Sequence, residues 1–126
     1  MSAFYSIKDP IRYEGPNSRS ELAFRWYNPD QLVMGKTMRE QMRFAVAYWH
    51  TLCWPGGDPF GGDTFMRQWH HMSDDMAAAR MKADLMFETL ELLDIDFFCF
   101  HDLDIAPEGK SLKEFNANVT EIARIF

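Results

Sequence analysis

His101 and Asp104 are the two residues whose types and spacing best suit acid–base chemistry. The carboxylate lies three positions after the histidine, in the polar segment HDLDIAPEG at 101–109. At this spacing it can accept a hydrogen bond from one ring nitrogen, which fixes the tautomer and raises the basicity of the other nitrogen. Histidine and aspartate are also common in ordinary turns, where aspartate caps the backbone. The pattern therefore leaves a catalytic role and a purely structural role open.

Trp49, Trp54 and Phe60 are aromatic residues that could form an apolar wall beside a reacting carbon or stack on the CH face of a sugar. Core packing is the commoner role for such side chains. Trp54 and Phe60 lie in TLCWPGGDPFGGD at 51–63, whose two prolines and four glycines predict a long loop. Side chains at loop tips often escape the core, and an exposed phenylalanine suggests insertion into a neighbouring subunit.

His70, His71, Asp74 and Asp75 carry the side-chain types that bind many metals. Adjacent histidines point in different directions in regular structure, however. The two aspartates are explained by a helix start, since the positive end of a helix favours acidic residues. A structural role is therefore the favoured interpretation of this group.

Composition argues against several classes of protein. The chain has 126 residues, 47% of them apolar, which is enough for the core of one domain. A net charge of −6, without long Lys or Arg runs, argues against nucleic acid or anionic membrane as partners. No membrane span or secretory signal is recognisable, so a cytoplasmic location is expected. Cys53 and Cys99 lack the spacing of a metal site, which predicts buried free thiols.

Two parts of the chain differ in pattern. Residues 1–36 are interrupted by Pro and Gly and show no sustained period, which predicts an irregular amino-terminal arm. In residues 37–126, short apolar runs alternate with amphipathic helices. The predicted elements are a short helix begun by a Thr37–Glu40 capping box, a strand within 44–49, a helix capped by Ser73 that ends near Asp94, a strand at 96–100 covered on both faces, and a helix begun by a Ser111–Glu114 capping box.

The two longer helices are predicted from apolar residues that recur every three or four positions. The first carries Met76, Ala79, Ala83, Met86, Phe87, Leu90 and Leu93 on one face, and the second carries Leu112, Phe115, Val119, Ile122 and Ile125 or Phe126. Their order with the strands is strand, helix, strand, helix, which implies parallel strands with right-handed crossovers. Trp49, His50 and His101 are then expected at one mouth, where α/β proteins bind ligands.

Two parallel strands cannot bury such apolar runs by themselves. We therefore expect residues 37–126 to be the first βα units of an incomplete (β/α)₈ TIM barrel, preceded by the arm at 1–36. A whole barrel takes about 250 residues, so roughly half or more of it would lie outside this chain.

Two long motifs, YWHTLCWPGGDPFGG at 48–62 and FCFHDLDIAPEG at 98–109, carry a family resemblance. The chain resembles the xylose isomerase family, specifically its longer-armed class. The arm agrees through YEGP at 13–16, LAFRWYNP at 22–29 and GKTM at 35–38. The likeness runs essentially from end to end, and the two long motifs are very specific.

The resemblance implies roles for four residues. His101 matches the histidine that helps to open the cyclic sugar, and Asp104 matches the acidic partner that orients it. Trp49 matches a tryptophan that lines the substrate pocket. Phe60 matches an aromatic residue that reaches across a dimer interface into the neighbouring active site. Leu103 occupies a position that is often filled by Arg or another residue, while the flanking His and Asp remain.

The resemblance also implies an activity and its cofactors. Enzymes of this family interconvert D-xylose and D-xylulose, and D-glucose and D-fructose more weakly, as tetramers of (β/α)₈ barrels. Two divalent metal ions, usually magnesium, manganese or cobalt, polarise the sugar oxygens while a hydride moves between C1 and C2. The metal ligands and a catalytic lysine belong to later strands, so no residue of this chain is predicted as a metal ligand.

Two functional hypotheses follow. In the first, the chain is the amino-terminal portion of a xylose isomerase and shares the function of the whole enzyme, although these 126 residues alone are expected to be inactive. In the second, the chain is a metal-free fragment that acts only as an assembly or sugar-contacting module. Further strand–helix units downstream of Phe126 would favour the first hypothesis, and an immediate stop codon would favour the second.

Overall fold

The computed structural model describes residues 4–126 and has the predicted α/β character. The elements are β1 (Leu32–Val33), β2 (Lys36–Thr37), α1 (Met38–Gln41), β3 (Ala45–Ala47), a π-helical segment (Trp49–Cys53), a 3-10 segment (Gln68–His71), α2 (Asp75–Leu93), β4 (Phe97–Cys99), α3 (Asp102–Ile105) and α4 (Leu112–Ile122). Across residues 4–126, no helix is both long enough and apolar enough to cross a lipid bilayer.

Strands β3 and β4 form one two-stranded sheet. The order β3, α2, β4, α4 matches the predicted order of strand, helix, strand, helix, and the short helix α3 after β4 was not predicted. Strands β1 and β2 form a second, antiparallel sheet, which the sequence did not predict. Its two turn residues, Met34 and Gly35, both have positive φ, at 53° and 81°. Such a turn matches the twist of a tight hairpin and strongly favours glycine at one position.

The chain divides into two compact units. The first comprises the arm through Val46 together with Glu88–Phe97, and the second comprises Ala47–Phe87 with Phe98–Phe126. In the first unit, the Glu88 carboxylate accepts hydrogen bonds from the backbone amides of Phe4 and Tyr5, at 3.0 and 3.1 Å. These bonds to the charged form lower the pKa of Glu88.

Helix starts agree with the sequence only in part. The Thr37 capping box is confirmed, since Thr37 Oγ1 accepts from the Glu40 amide and the Glu40 carboxylate accepts from the Thr37 amide. For α2 the predicted cap, Ser73, is wrong by one residue. Asp74 Oδ1 accepts the Ala77 amide at 2.9 Å instead. Both residue types are good caps, so composition alone cannot choose between neighbours.

Half of the predicted capping box at the start of α4 is present. Ser111 Oγ accepts the Glu114 amide at 3.2 Å, as expected. The Glu114 carboxylate, however, accepts from the amide of Lys110 at 2.7 Å. Leu112 is exposed, so the apolar stripe of this helix begins at Phe115.

The core of the second unit contains the fully buried side chains Tyr48, Leu52, Met86 and Ile122. Three residues of the predicted face of α2, Ala79, Ala83 and Met86, are buried. Met76, Phe87, Leu90 and Leu93 of that face are only half-buried, whereas Leu85 and Leu92, which were not predicted, are buried. Phe126 packs its ring against several other rings of the same unit. These are Tyr48, Phe87, Phe98 and Phe100, with centroids 5.3 to 6.4 Å away. Such tilted and edge contacts are the preferred geometry of aromatic pairs.

Both predicted strands, within 44–49 and at 96–100, differ from the strands in the structure. The first apolar run forms a strand only at Ala45–Ala47 before the chain enters the π-helical segment. The second run is not covered on both faces, because Phe97 is 48% exposed. Within residues 4–126, β3 is the only strand partner of β4, so much of its surface has no neighbouring strand. Cys99 is exposed and Cys53 is half-buried, so the prediction of buried thiols is wrong for Cys99.

Candidate active site

Helix α3 brings His101 and Asp104 together. His101 is the residue before the helix and Asp104 is its third residue, so the aspartate side chain can turn back toward the histidine. Asp104 Oδ2 accepts two hydrogen bonds from His101, one from the backbone amide at 2.8 Å and one from ring Nδ1 at 2.9 Å. The sequence predicted this pairing from the spacing of the two residues, but it predicted a turn where a short helix occurs.

The two side chains of this pair differ sharply in exposure. The Asp104 side chain is 7% exposed, whereas that of His101 is 81% exposed. An ionised carboxylate only accepts hydrogen bonds, so Nδ1 carries the proton and the lone pair of the neutral ring lies on Nε2. The arrangement therefore presents an accessible proton acceptor whose tautomer is set by a buried carboxylate.

Two side chains meet behind the pair, at the carbonyl oxygen of Asp104. Lys82 Nζ donates to this oxygen at 2.7 Å, and Cys53 Sγ lies 3.5 Å from it. The sequence predicted neither contact. The sequence gives one indication that Lys82 could reach the interior. Lys82 lies three residues after Ala79 and four before Met86 on α2, and this spacing places it beside the buried face of the helix.

Tyr48 lies beneath this group and is fully buried. Its hydroxyl has no hydrogen-bond partner among the described residues, and Lys82 Nζ lies 5.8 Å from its ring centroid. Burial raises the pKa of Tyr48 well above its ordinary value. The phenol therefore stays protonated and belongs to the buried core beside Lys82.

Trp49 lies in the π-helical segment and stacks against Trp54. The centroids are 6.4 Å apart and the planes differ by 23°. His50 contacts the ring of Trp49 edge-on at 4.7 Å. Both tryptophans are partly exposed, which leaves apolar surface available for a ligand.

A tight turn presents Phe60. The backbones of Asp58 and Gly61 pair across the turn, and Asp58 Oδ1 accepts the Phe60 amide at 2.7 Å. The Phe60 side chain has no place in the core of its own chain, because the residue is 98% exposed. The structure thus agrees with the prediction that this aromatic residue escapes the core.

These residues form separate contacts rather than one bonded cluster. Across residues 4–126, no hydrogen bond or ring contact joins Trp49 or Phe60 to His101 or Asp104. A shared mouth for Trp49, His50 and His101 therefore stays a prediction.

His70 has a structural role. Its Nδ1 accepts the Arg67 amide at 3.0 Å, so its Nε2 carries the proton and lies 3.3 Å from the carbonyl oxygen of Cys53. Asp74 is already used as the cap of α2. In the described part of the chain, no three His, Cys, Asp or Glu side chains are grouped to hold a metal ion.

Comparison with known proteins finds similar sequences that share one name. A curated "Xylose isomerase" of Sinorhizobium fredii is 53% identical over 125 residues, which is 99% of this chain. The corresponding proteins of Agrobacterium fabrum and Roseobacter denitrificans are 54% and 51% identical over 125 and 126 residues. The chain matches the amino-terminal portion of xylose isomerases.

The family resemblance found in the sequence motifs is thereby confirmed. The chain spans only 28 to 29% of the length of these xylose isomerases. No family model matches it.

The reactivity of Cys53 tests its contacts with Lys82 and with the Asp104 carbonyl. Burial raises the pKa of this thiol, and the Lys82 ammonium only partly offsets the increase. Because the thiolate is the reactive form, alkylation should reach half of its maximal rate at a higher pH than for a small free thiol. In a Cys99→Ser background, iodoacetamide labelling measured by mass spectrometry gives the alkylation rate of Cys53 as a function of pH. Lys82→Met should move the midpoint of this curve to still higher pH. A midpoint at or below that of N-acetylcysteine would contradict a half-buried Cys53 thiol beside Lys82.

Proposed function

We propose that this chain supplies the ring-opening part of a xylose isomerase active site, in which His101 transfers protons and Asp104 orients it. The observation that carries this proposal is the pair itself, an exposed imidazole held at 2.9 Å by a buried carboxylate. The xylose isomerases that match the chain support the same reaction class. D-xylose and related aldoses are the proposed substrates.

Opening a cyclic aldose moves a proton from the anomeric hydroxyl to the ring oxygen while the C1–O5 bond breaks. A neutral imidazole with its lone pair on Nε2 can take the first proton and then return one to the ring oxygen. The imidazolium formed between these steps is stabilised by the Asp104 carboxylate at Nδ1. The high exposure of His101 leaves Nε2 accessible to the sugar.

Two divalent ions, magnesium, manganese or cobalt, are the cofactors proposed for the complete enzyme, where they would polarise sugar oxygens for a hydride shift. Residues 4–126 do not fit such a site, because they contain no cluster of metal-ligating side chains. We therefore assign no metal ligand in this chain and propose that the ligands lie on other strands. By itself, the chain is proposed to be inactive.

The proposed setting is the start of a (β/α)₈ barrel in a cytoplasmic enzyme. Residues 37–126 would supply its first βα units, and residues 1–36 would form the arm. The adjacent strands β3 and β4, separated in sequence by α2, support this proposal. Trp49, which stacks on the partly exposed Trp54, is proposed to line the sugar pocket.

His101→Ala tests the proton-transfer role in the full-length enzyme. Turnover of ring-closed xylose should fall by about a hundredfold or more, because the acid–base group is lost. Turnover of a sugar supplied transiently in its open form should fall far less. The matched control is His71→Ala, which removes another exposed histidine and should leave both rates unchanged. Equal losses on the two forms of the sugar would contradict a ring-opening role.

We also propose that Phe60 enters the active site of a neighbouring subunit in a tetramer. The supporting observation is a loop that fixes the backbone around Phe60 while leaving its side chain 98% exposed. A fixed loop loses less conformational entropy on association than a mobile one.

A subunit-mixing experiment tests this role of Phe60. His101→Ala and Phe60→Ala subunits are each expected to be impaired when assembled alone. If Phe60 acts across the interface, a mixed pair regains one site with an intact histidine and an intact phenylalanine. Random reassembly of equal amounts should then restore about a quarter of the wild-type sites. Activity equal to the average of the two separate variants would show that Phe60 acts within its own subunit or not at all.

A further inference from the structure

Helix α3 is too short to be stable by its own hydrogen bonds. It has only four residues, Asp102–Ile105, and the backbone bonds at this turn are Ala106 N to Asp102 O at 3.2 Å and Asp104 N to His101 O at 3.1 Å. Isolated single turns are unfavourable because helix nucleation costs more than one bond returns. Carbonyls near the end of a helix also lack donors within it. The backbone at Asp104 therefore depends on contacts with other elements.

Lys82 supplies the strongest of these contacts. Its ammonium donates to the Asp104 carbonyl at 2.7 Å, and charged donors make stronger hydrogen bonds than neutral ones. Cys53 Sγ lies 3.5 Å from both the same carbonyl and Lys82 Nζ. Residues from α2 and from the end of the π-helical segment thus meet at a single oxygen of α3.

The location of Lys82 restricts where its ammonium can go. The side chain is partly buried, and its Nζ lies 5.8 Å from the ring centroid of the fully buried Tyr48. A partly buried cation needs a partner that replaces water, and the Asp104 carbonyl provides one. Because α2 is a 19-residue helix, it anchors the lysine on a rigid element.

We propose that Lys82 is a positioning residue for the His101–Asp104 pair, acting through the main-chain carbonyl of Asp104. The inference rests on the proposed ring-opening function of His101. Both hydrogen bonds that orient His101 end on one atom, Asp104 Oδ2. A displacement of the Asp104 backbone therefore weakens both hydrogen bonds together. The imidazole then loses its preference for the tautomer that carries the proton on Nδ1.

The test compares the histidine tautomer in the wild-type protein and in Lys82→Met, which keeps the length of the side chain but removes the donor. In the intact protein labelled with ¹⁵N-histidine, two-bond ¹H–¹⁵N correlations report the proton position of His101. The ratio of the Nε2–H to the Nδ1–H form should rise by about fivefold in the variant, as expected when one such bond is lost. The matched control is Lys113→Met, at an exposed lysine of α4, which should leave the ratio unchanged.

An unchanged ratio in Lys82→Met would overturn the proposal. If that variant does not fold, as judged by circular dichroism, Lys82→Leu, which also lacks a donor, is measured in the same way, and an unchanged ratio there overturns the proposal equally. Lys82→Arg keeps a cationic donor and should retain most of the Nδ1–H form.

Turnover then separates this proposal from the proposed function. In the full-length enzyme, Lys82→Met should lower kcat on ring-closed xylose, by at most about fivefold, with little change in KM, since the population of the competent tautomer falls while sugar binding is unaffected. A shifted tautomer with unchanged turnover would support positioning by Lys82 while contradicting the role of His101. A fall in kcat without a tautomer shift would overturn the positioning proposal and leave the role of His101 standing.

Discussion

The buried carboxylate of Asp104 is the constraint on which the rest of the site depends. Removing a charged oxygen from water is costly unless hydrogen bonds replace the lost solvent. The Asp104 side chain is 7% exposed, and its Oδ2 receives both the amide and the ring Nδ1–H of His101. Satisfying the carboxylate therefore also fixes the imidazole and directs its lone pair away from the core. One local requirement of folding produces an oriented base at the surface.

The features that the sequence predicted are those with local causes. The Thr37 capping box depends on residues three positions apart, and the same short spacing predicted the contact between His101 and Asp104. The buried face of α2 followed from apolar residues recurring at helical intervals, as Ala83 and Met86 show. The exposure of Phe60 followed from its Gly and Pro neighbours. In each case the interacting groups lie within about one turn of each other.

The features that the sequence could not predict depend on distant residues. Nothing near Lys82 in sequence indicates that its ammonium binds the Asp104 carbonyl, because the two residues are 22 positions apart. Helix α3 lies in a segment rich in turn-forming residues, where tertiary contacts outweigh local propensity. The exposure of Phe97 depends on which strands flank β4, whereas an apolar run indicates only that a residue favours burial.

Neutron diffraction on the deuterium-exchanged protein tests the central claim most directly, because it locates the hydrogen between His101 and Asp104. At alkaline pD, where an imidazole is neutral, we predict deuterium on Nδ1 directed at Asp104 Oδ2 and none on Nε2. A ring carrying deuterium on Nε2 and none on Nδ1 would contradict the account, since the carboxylate would then not set the tautomer.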